Sequence, residues 1–416
     1  MKVGRLTWII ISGSLLLCIG FIITSYRLRW SGTGFEQKTL WDWLQLLIVP
    51  LALAIIALLF NLASTRTEQK FANQRYEQDK QIAKQHYEQD KQTAEQRYEQ
   101  DKQIAIDKQR EDLLQIYLDR MSELLLEKQL HLSSNNDICN VARVRTITVL
   151  FQLDARRIGY VFAFLLETGL MSNKAESIVS LKQANLSTIN LSRASIGGID
   201  LSKAYLFRAD LRKIDLSKAD LLGAYLREAN LREADLLGAD LSYADLSNAD
   251  LGYANFSYAR ISYANLNYAN LNYANLKGAN LNEANLKYAQ LSGANLNEAN
   301  LFNANLSKAN LSYINLYEAY LRKADFSYTN LSGADFSYAN LSEAIFSGAN
   351  LSGANLSGAD LTGVDLTGVD LSYANLSRTN LSGTYHLRGA NLRNAKWEKT
   401  LIRKDQIAEV KPFINI

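Results

Sequence analysis

Between Leu181 and Leu381 every fifth residue is Leu, Ile or Phe, without a slip, over 41 consecutive units. The residue two positions before each is nearly always Ala. The residue directly before it is Asn in 20 units and Asp in 13. The unit reads Ala-[Asn/Asp]-Leu-x-x, as in Ala264-Asn265-Leu266-Asn267-Tyr268 and Ala354-Asn355-Leu356-Ser357-Gly358. A period of five fits neither the 3.6 of a helix nor the 2 of a strand. It must therefore be the unit of a larger coil. One large and one very small inward side chain per unit imply a narrow interior packed in stacked layers. Repeats of this kind bury apolar surface against their neighbours along the stack.

Proline fits this picture by its scarcity. The 416-residue chain has two, Pro50 and Pro412, where average usage would give about twenty. A proline would remove a ladder donor from such a stack. Cysteine and histidine are equally sparse. Cys18 and Cys139 stand apart, and so do His86, His131 and His386. That argues against a disulfide framework, a zinc site and a His-based catalytic centre.

The repeat resembles the pentapeptide-repeat family, whose pattern is A-[D/N]-L-x-x, over roughly Ser180 to Ala395. The resemblance implies a right-handed quadrilateral β-helix with four units per coil, here about ten coils. At a strand spacing of roughly 4.8 Å that is a rod about 50 Å long. The stretches EDLLQIYLDRMSELLLEKQL (from Glu111) and RVRTITVLFQLDARR (from Arg143) are similar to the helical module that precedes such repeats in membrane-anchored bacterial members of cyanobacterial type.

The N-terminal part is apolar. Leu6 to Tyr26 and Trp43 to Thr65 carry no charge, and each is long enough to cross a hydrocarbon core of roughly 30 Å. Trp8, Trp30, Trp41 and Trp43 lie at or near their ends, as interface anchors do. The alternative is a cleaved signal followed by one anchor, but no small-x-small site follows Tyr26. Two spans put both chain ends on one side. Lys2, Arg5, Arg66, Lys70 and Arg75 outnumber Arg27, Arg29 and Lys38 of the short loop. This favours both termini in the cytoplasm, although Arg27 and Arg29 argue the other way.

Next comes an eleven-residue repeat marked by Tyr76, Tyr87 and Tyr98. Eleven residues make three helical turns, so a thin stripe of Ala72, Tyr76, Ala83, Tyr87, Ala94, Tyr98 and Ala105 runs almost straight along a helix. Arg75/Asp79, Lys84/Glu88 and Arg97/Asp101 are spaced to pair. The stripe suggests either self-association in a coiled coil or a solvated single helix. Beyond it the apolar stripe widens through Leu113, Tyr117 and Met121. Ser133 to Asp137 breaks the helix, a second helix runs through Val141 to Leu150, and Asp154 caps a third that stops at Gly169. Arg143, Arg145, Arg156 and Arg157 form a basic cluster, read as a solvated helix face or as a dock for anionic lipid or an acidic partner.

The predicted organisation is thus a membrane-anchored α plus all-β solenoid. It has two transmembrane helices with a short loop (1–65), a helical stalk (66–111), a helical bundle (112–175), a pentapeptide-repeat β-helix (176–395) and a C-terminal cap (396–416). With four units per coil, residues twenty apart stack. Phe326 should lie on Phe346, with Phe336 entering from the opposite face. Ile189, Ile199 and Ile214 should slightly distort the first coils. Arg208 should meet Glu228, and Lys213 should meet Glu233. Asp200, Asp220 and Asp240 should form a carboxylate column below Arg260, either a candidate cation site or a solvated column. The register slips by one residue at His386 and resumes at Leu387, Leu392 and Trp397. The tail through Pro412 should close the last coil.

No catalytic constellation appears, and no cofactor or metal is expected. The leading reading is a non-enzymatic, membrane-anchored scaffold or protein-protein interaction protein. Its candidate contact surface is Tyr243, Tyr253, Tyr258, Tyr263, Tyr268, Tyr273 and Tyr288, because tyrosine is enriched at interface hot spots. A ladder that only stacks (Tyr243 over Tyr263, Tyr253 over Tyr273, Tyr268 over Tyr288) is the competing role. The expected partners are the membrane, an unidentified protein, and a second copy through stalk or spans. A DNA mimic that binds a topoisomerase, as some family members do, should be strongly acidic. Leu181 to Ala395 carries 19 acidic and 18 basic residues, a net of −1, so no nucleic-acid role is expected. A third reading is an accessory of membrane assembly or transport, although no charge lies within either span.

Overall fold

The computed structural model describes residues 40–126, 136–171, 177–384 and 386–406, with scattered helical positions between Ser12 and Arg27. The chain divides into two compact units, residues 1–102 and 103–416. One helix, α1 (Leu40–Leu126), runs through the boundary.

In the first unit α1 contains the whole uncharged run Trp43 to Thr65, with Pro50 inside it. Its apolar side chains are bare: Leu53 and Phe60 are 62% and 77% exposed. Among the described residues α1 is the one helix long and apolar enough to cross a membrane. One candidate span therefore stands where the sequence predicts two. The first predicted span lies largely outside the described residues, and its described positions are helical. Arg29, Lys38, Ser133 and the tail from residue 407 through Pro412 also lie outside them. The stalk is helical throughout and its stripe is unburied, with Tyr76, Tyr87 and Tyr98 at 67–68% exposure. The expected pairs Arg75/Asp79, Lys84/Glu88 and Arg97/Asp101 do not close. Lys102 and Glu99, three apart, approach at 3.8 Å. Fully solvated pairs gain only a few tenths of a kcal/mol, too little to hold two long side chains in one geometry.

In the second unit, the last turns of α1 pack with α2 (Asn136–Leu150) and α3 (Ala155–Glu167). Asp154 caps α3 as expected, accepting from the Arg157 N–H, and Gly169 ends it at φ +70°. Met121, Leu150, Ile158, Val161, Phe162 and Leu165 form the bundle interior. The buried Tyr117 hydroxyl bonds Thr146 at 2.9 Å. Burial pushes its phenol up to about 12, against the opposing effect of that bond.

The basic cluster is not one solvated face. Arg157 is buried and bonds Glu111 at 2.9 Å, Asp107 at 3.3 Å and Asp154, tying α3 to α1. Arg143 donates to the carbonyls of Ser180 and Lys182 at 2.8 and 2.7 Å. It clamps α2 onto the first turn of the repeat. Burying a guanidinium requires such partners. Arg145 and Arg156 are exposed.

The repeats form a right-handed β-helix solenoid. Forty parallel bridges follow one another from Asn185↔Tyr205 to Asn380↔Leu401, four to a coil. Each joins residues twenty apart until Asp365↔His386, where the interval becomes 21. The one-residue slip at His386 is therefore absorbed in a single coil. Leu387 and Leu392 return to the interior, while Trp397 packs half-buried against it.

One unit shows how every backbone donor is used. Ala254 N–H closes a turn onto Leu251 O (3.1 Å). Asn255 N–H reaches back one coil to Ala234 O (2.9 Å), and Phe256 N–H reaches forward to Asn275 O (2.7 Å). Tyr258 N–H reaches forward to Lys277 O (2.8 Å). The fifth donor, Ser257 N–H, bonds the Asn255 side-chain oxygen at 3.2 Å. This Asx turn recurs along the rod and is why the position before Leu is Asn or Asp. Unpaired buried N–H groups are rare in folded proteins, and the unit leaves none.

The inner positions are Leu and Ala, nearly all under 5% exposed. Where Ile189, Ile199 or Ile214 replaces Ala, the turn bond lengthens to 3.2–3.3 Å from about 3.0 Å. This is the whole of the expected distortion, and the bridges there continue unbroken. Phe326 and Phe346 stack at 5.1 Å, and Phe336 meets Phe326 edge-on at 5.9 Å. At the far end Gln406, in a short 3₁₀ turn (Lys404–Gln406), is buried and donates to Thr384 O and Oγ1 at 3.0 and 2.8 Å.

Candidate functional site

The chemistry the rod offers outward is set by the last position of each unit. That residue lies at φ of roughly +55 to +75°, at 31 non-glycine positions and at most of the glycines. It is the second central residue of the turn, the place where a type II turn needs the left-handed region. A non-glycine residue there carries about 1–2 kcal/mol of steric cost. Its N–H bond to the next coil locks it in place, as in Tyr243 N to Ser262 O at 2.9 Å.

All seven candidate tyrosines occupy this position. Tyr243 stacks on Tyr263 (4.9 Å, 4°), Tyr253 on Tyr273 (5.2 Å, 18°) and Tyr268 on Tyr288 (4.7 Å, 2°). Tyr258 lies instead over Gly278, where an added Cβ would meet its ring at 2.7 Å. With residues twenty apart in one column, the three pairs and Tyr258 fall on four different columns. The tyrosines therefore encircle the rod rather than line one face. They remain open to solvent, at 43–62% exposure for all but the half-buried Tyr288. Neighbours orient several of them. Tyr263 donates to Glu283 at 3.2 Å, whose charge holds the phenol above its usual range. Arg232 lies over Tyr253 at 4.7 Å, and Lys308 contacts the Tyr288 hydroxyl at 3.3 Å.

Sequence reasoning missed part of this aromatic surface. Tyr313, Tyr328 and Tyr338 each cover the glycine twenty residues on, and Tyr205 stacks on Tyr225 from the position before Leu. A search for Tyr followed twenty residues later by Tyr or Gly would have found them.

The other outward columns are structural. Arg208–Glu228 and Lys213–Glu233 close at 2.7 and 3.2 Å, as expected. Asp200, Asp220 and Asp240 do align, and Arg260 reaches Asp240 at 2.7 Å. Each carboxylate also accepts the N–H two residues on. No group of three His, Cys, Asp or Glu among the described residues is placed to hold a metal ion. Asn side chains form strings along the columns. Asn295 donates to Asn275, Asn275 to Asn255 and Asn255 to Asp235, at 3.1, 3.4 and 2.9 Å.

A family model described as pentapeptide repeats matches in eight copies between residues 184 and 383. No curated protein matches the chain. Among solved structures, the chain is similar to HetL of the cyanobacterium Nostoc sp. strain PCC 7120, a pentapeptide repeat protein involved in heterocyst differentiation regulation. That match has 38% identity over 52% of this chain and 89% of HetL, with a TM-score of 0.27. It is also similar to QnrB1, a plasmid-mediated fluoroquinolone resistance protein, at 21% identity over 49% and 93% of the two chains, TM-score 0.22. A third is a thylakoid-lumen pentapeptide repeat protein of Arabidopsis thaliana, at 25% identity over 42% and 77%, TM-score 0.13. With its unbroken five-residue period and the eight-copy match, the chain belongs to the pentapeptide repeat family.

Proposed function

We propose that the protein is a non-enzymatic, membrane-anchored scaffold whose rod offers its tyrosine belt to a protein partner in the cytoplasm. The observation that carries this is the fixing of exposed aromatic rings before any partner arrives. Stacking and left-handed turns hold Tyr243, Tyr253, Tyr258, Tyr263, Tyr268, Tyr273 and Tyr288 in place. Binding then spends little side-chain entropy on them. Because the rings encircle the rod, one partner engages two adjacent columns or wraps around it. Two membrane spans, with both termini cytoplasmic, supply the anchor. The exposed stripe of Tyr76, Tyr87 and Tyr98 supports self-association along the stalk.

Crosslinking in native membranes followed by mass spectrometry tests the reading. Wild type is compared with a Tyr253→Ser/Tyr273→Ser variant and a Tyr243→Ser/Tyr263→Ser variant. At least one pair should lose a crosslinked protein that the wild type captures about tenfold more strongly. Identical crosslink profiles in all three would defeat it.

A further inference from the structure

Within the second unit a cleft of about 1020 Å³ opens between the first turn of α3 and the first three coils of the rod. Its volume is that of a site for a nucleotide-sized molecule. Its walls carry six cationic and three acidic side chains. The three acids are already engaged. Asp154 and Asp107 hold Arg157, while Glu233 is shared by Lys213 at 3.2 Å and Arg232 at 3.8 Å. Arg212 folds back in a two-toothed grip on Asp210 of its own coil. Arg156 and Arg193 have no carboxylate within 4 Å among the described residues.

The columns add a second observation. Arg193 and Lys213 are twenty residues apart, and so are Arg212 and Arg232. Each pair therefore sits one coil, roughly 4.8 Å, apart. Elsewhere the rod either sets opposite charges in this relation, as in Arg208 with Glu228 and Lys323 with Glu343, or compensates like ones. In the Asp200, Asp220 and Asp240 column each carboxylate accepts a backbone N–H and Arg260 closes the row. Here it sets cation on cation, which is unfavourable unless an anion lies between them.

We propose that this cleft binds a ligand bearing two linked phosphate groups. Each cationic pair spans two coils, the Arg193–Lys213 column passing on to Glu233 and the Arg212–Arg232 column to Gly252. The two staggered pairs together cover three coils, about 10 Å. That length suits a diphosphate and is too short for an acidic peptide laid along the rod. Guanidinium forks match phosphate oxygens in geometry and charge. Arg156 approaches from the helix side and Arg193 from the rod side, so the two close on opposite ends of the anion.

The test is isothermal titration of the full-length protein in non-ionic detergent. Inorganic pyrophosphate represents a soluble ligand, and cardiolipin in mixed micelles represents a two-phosphate lipid headgroup. One probe or the other should bind saturably at one site. Arg156→Gln and Arg193→Gln should each weaken it about tenfold or more, the usual consequence of losing a charged hydrogen bond. Arg378→Gln, near the far end of the rod, should leave it unchanged. Pyrophosphate binding assigns a soluble ligand, and binding of cardiolipin alone assigns a headgroup. Circular dichroism melts of the variants should match wild type. The proposal is overturned if neither probe binds saturably, or if both cleft variants bind as tightly as wild type.

Discussion

Asp335→Ala removes one side-chain acceptor from the middle of the rod and nothing from its apolar interior. The Asp335 carboxylate accepts from Ser337 N–H at 2.9 Å, from Ser337 Oγ at 2.6 Å and from Asn355 Nδ2 at 3.0 Å. Ser337 is buried. Its orphaned N–H should cost about 1–3 kcal/mol, and each of the other two bonds about 1 kcal/mol. Partial rehydration of Asn355 lowers the sum, so the local loss is about 2–4 kcal/mol. Solenoids open locally rather than all at once, so hydrogen exchange with mass spectrometry is the fitting assay. In the full-length protein, the peptide spanning residues 331–341 should lose protection by roughly 30- to 1000-fold, at 1.4 kcal/mol per decade. Asp335→Asn keeps an oxygen for both N–H donors and should lose less than about tenfold. Equal losses in Ala and Asn, or none in Ala, would refute the idea that this position serves as a backbone acceptor.

Three further outcomes follow from the same geometry. Gly278→Ala places a Cβ 2.7 Å from the Tyr258 ring at a φ of +63°. It should destabilise by about 1–2 kcal/mol, and Tyr258→Ser in the same chain should recover part of the loss in thermal melts. Arg143→Gln frees the Ser180 and Lys182 carbonyls. Exchange in the first coil should rise about tenfold or more, with the middle coils unchanged. Asp210 is held below the usual carboxylate range by Arg212, and Asp365 by the Thr367 hydroxyl. The unfolded chain therefore takes up protons first as pH falls. Their contribution is complete above the unfolded value near 4 and is lost as pH drops through the folded values. Melting temperature measured by circular dichroism should hold from about pH 8 to 5 and fall below pH 4, and a rise on acidification would contradict it.

The coil could be read in advance because its rule is local and repeated. Leu and Ala at fixed positions specify the interior, and a twenty-residue stacking interval then places Phe326 on Phe346 and Arg208 on Glu228. What escaped depends on backbone geometry that side-chain pattern does not announce. The left-handed turn at Tyr243 and its equivalents is invisible in composition, since Tyr, Lys and Glu are not the residues usually associated with it. The role of Asn255 as an acceptor needed the turn to be known first. Arg143 and Arg157 looked like surface charge because their partners lie 37 and 46 residues away in sequence. The tyrosine belt was legible as a list but not as a ring, since four columns interleave along one chain.

The asparagine strings give the rod a second polarity, opposed to that of its backbone. In each unit two backbone N–H groups point forward to the next coil, as Phe256 and Tyr258 do, and one points back, as Asn255 does. The backbone therefore keeps a net dipole whose positive end faces the C-terminal coils. The side-chain amides all point one way, each Nδ2 toward the preceding coil. Every such string is a row of aligned dipoles with its positive end toward the N-terminal coils, and hydrogen bonds in a row polarise one another. Asp235, Asp245, Asp335 and Asp360 accept at those ends, as an aspartate does at the start of an α-helix. The side-chain strings thus run against the net backbone dipole, and an aspartate carries the negative charge at the positive end of these four.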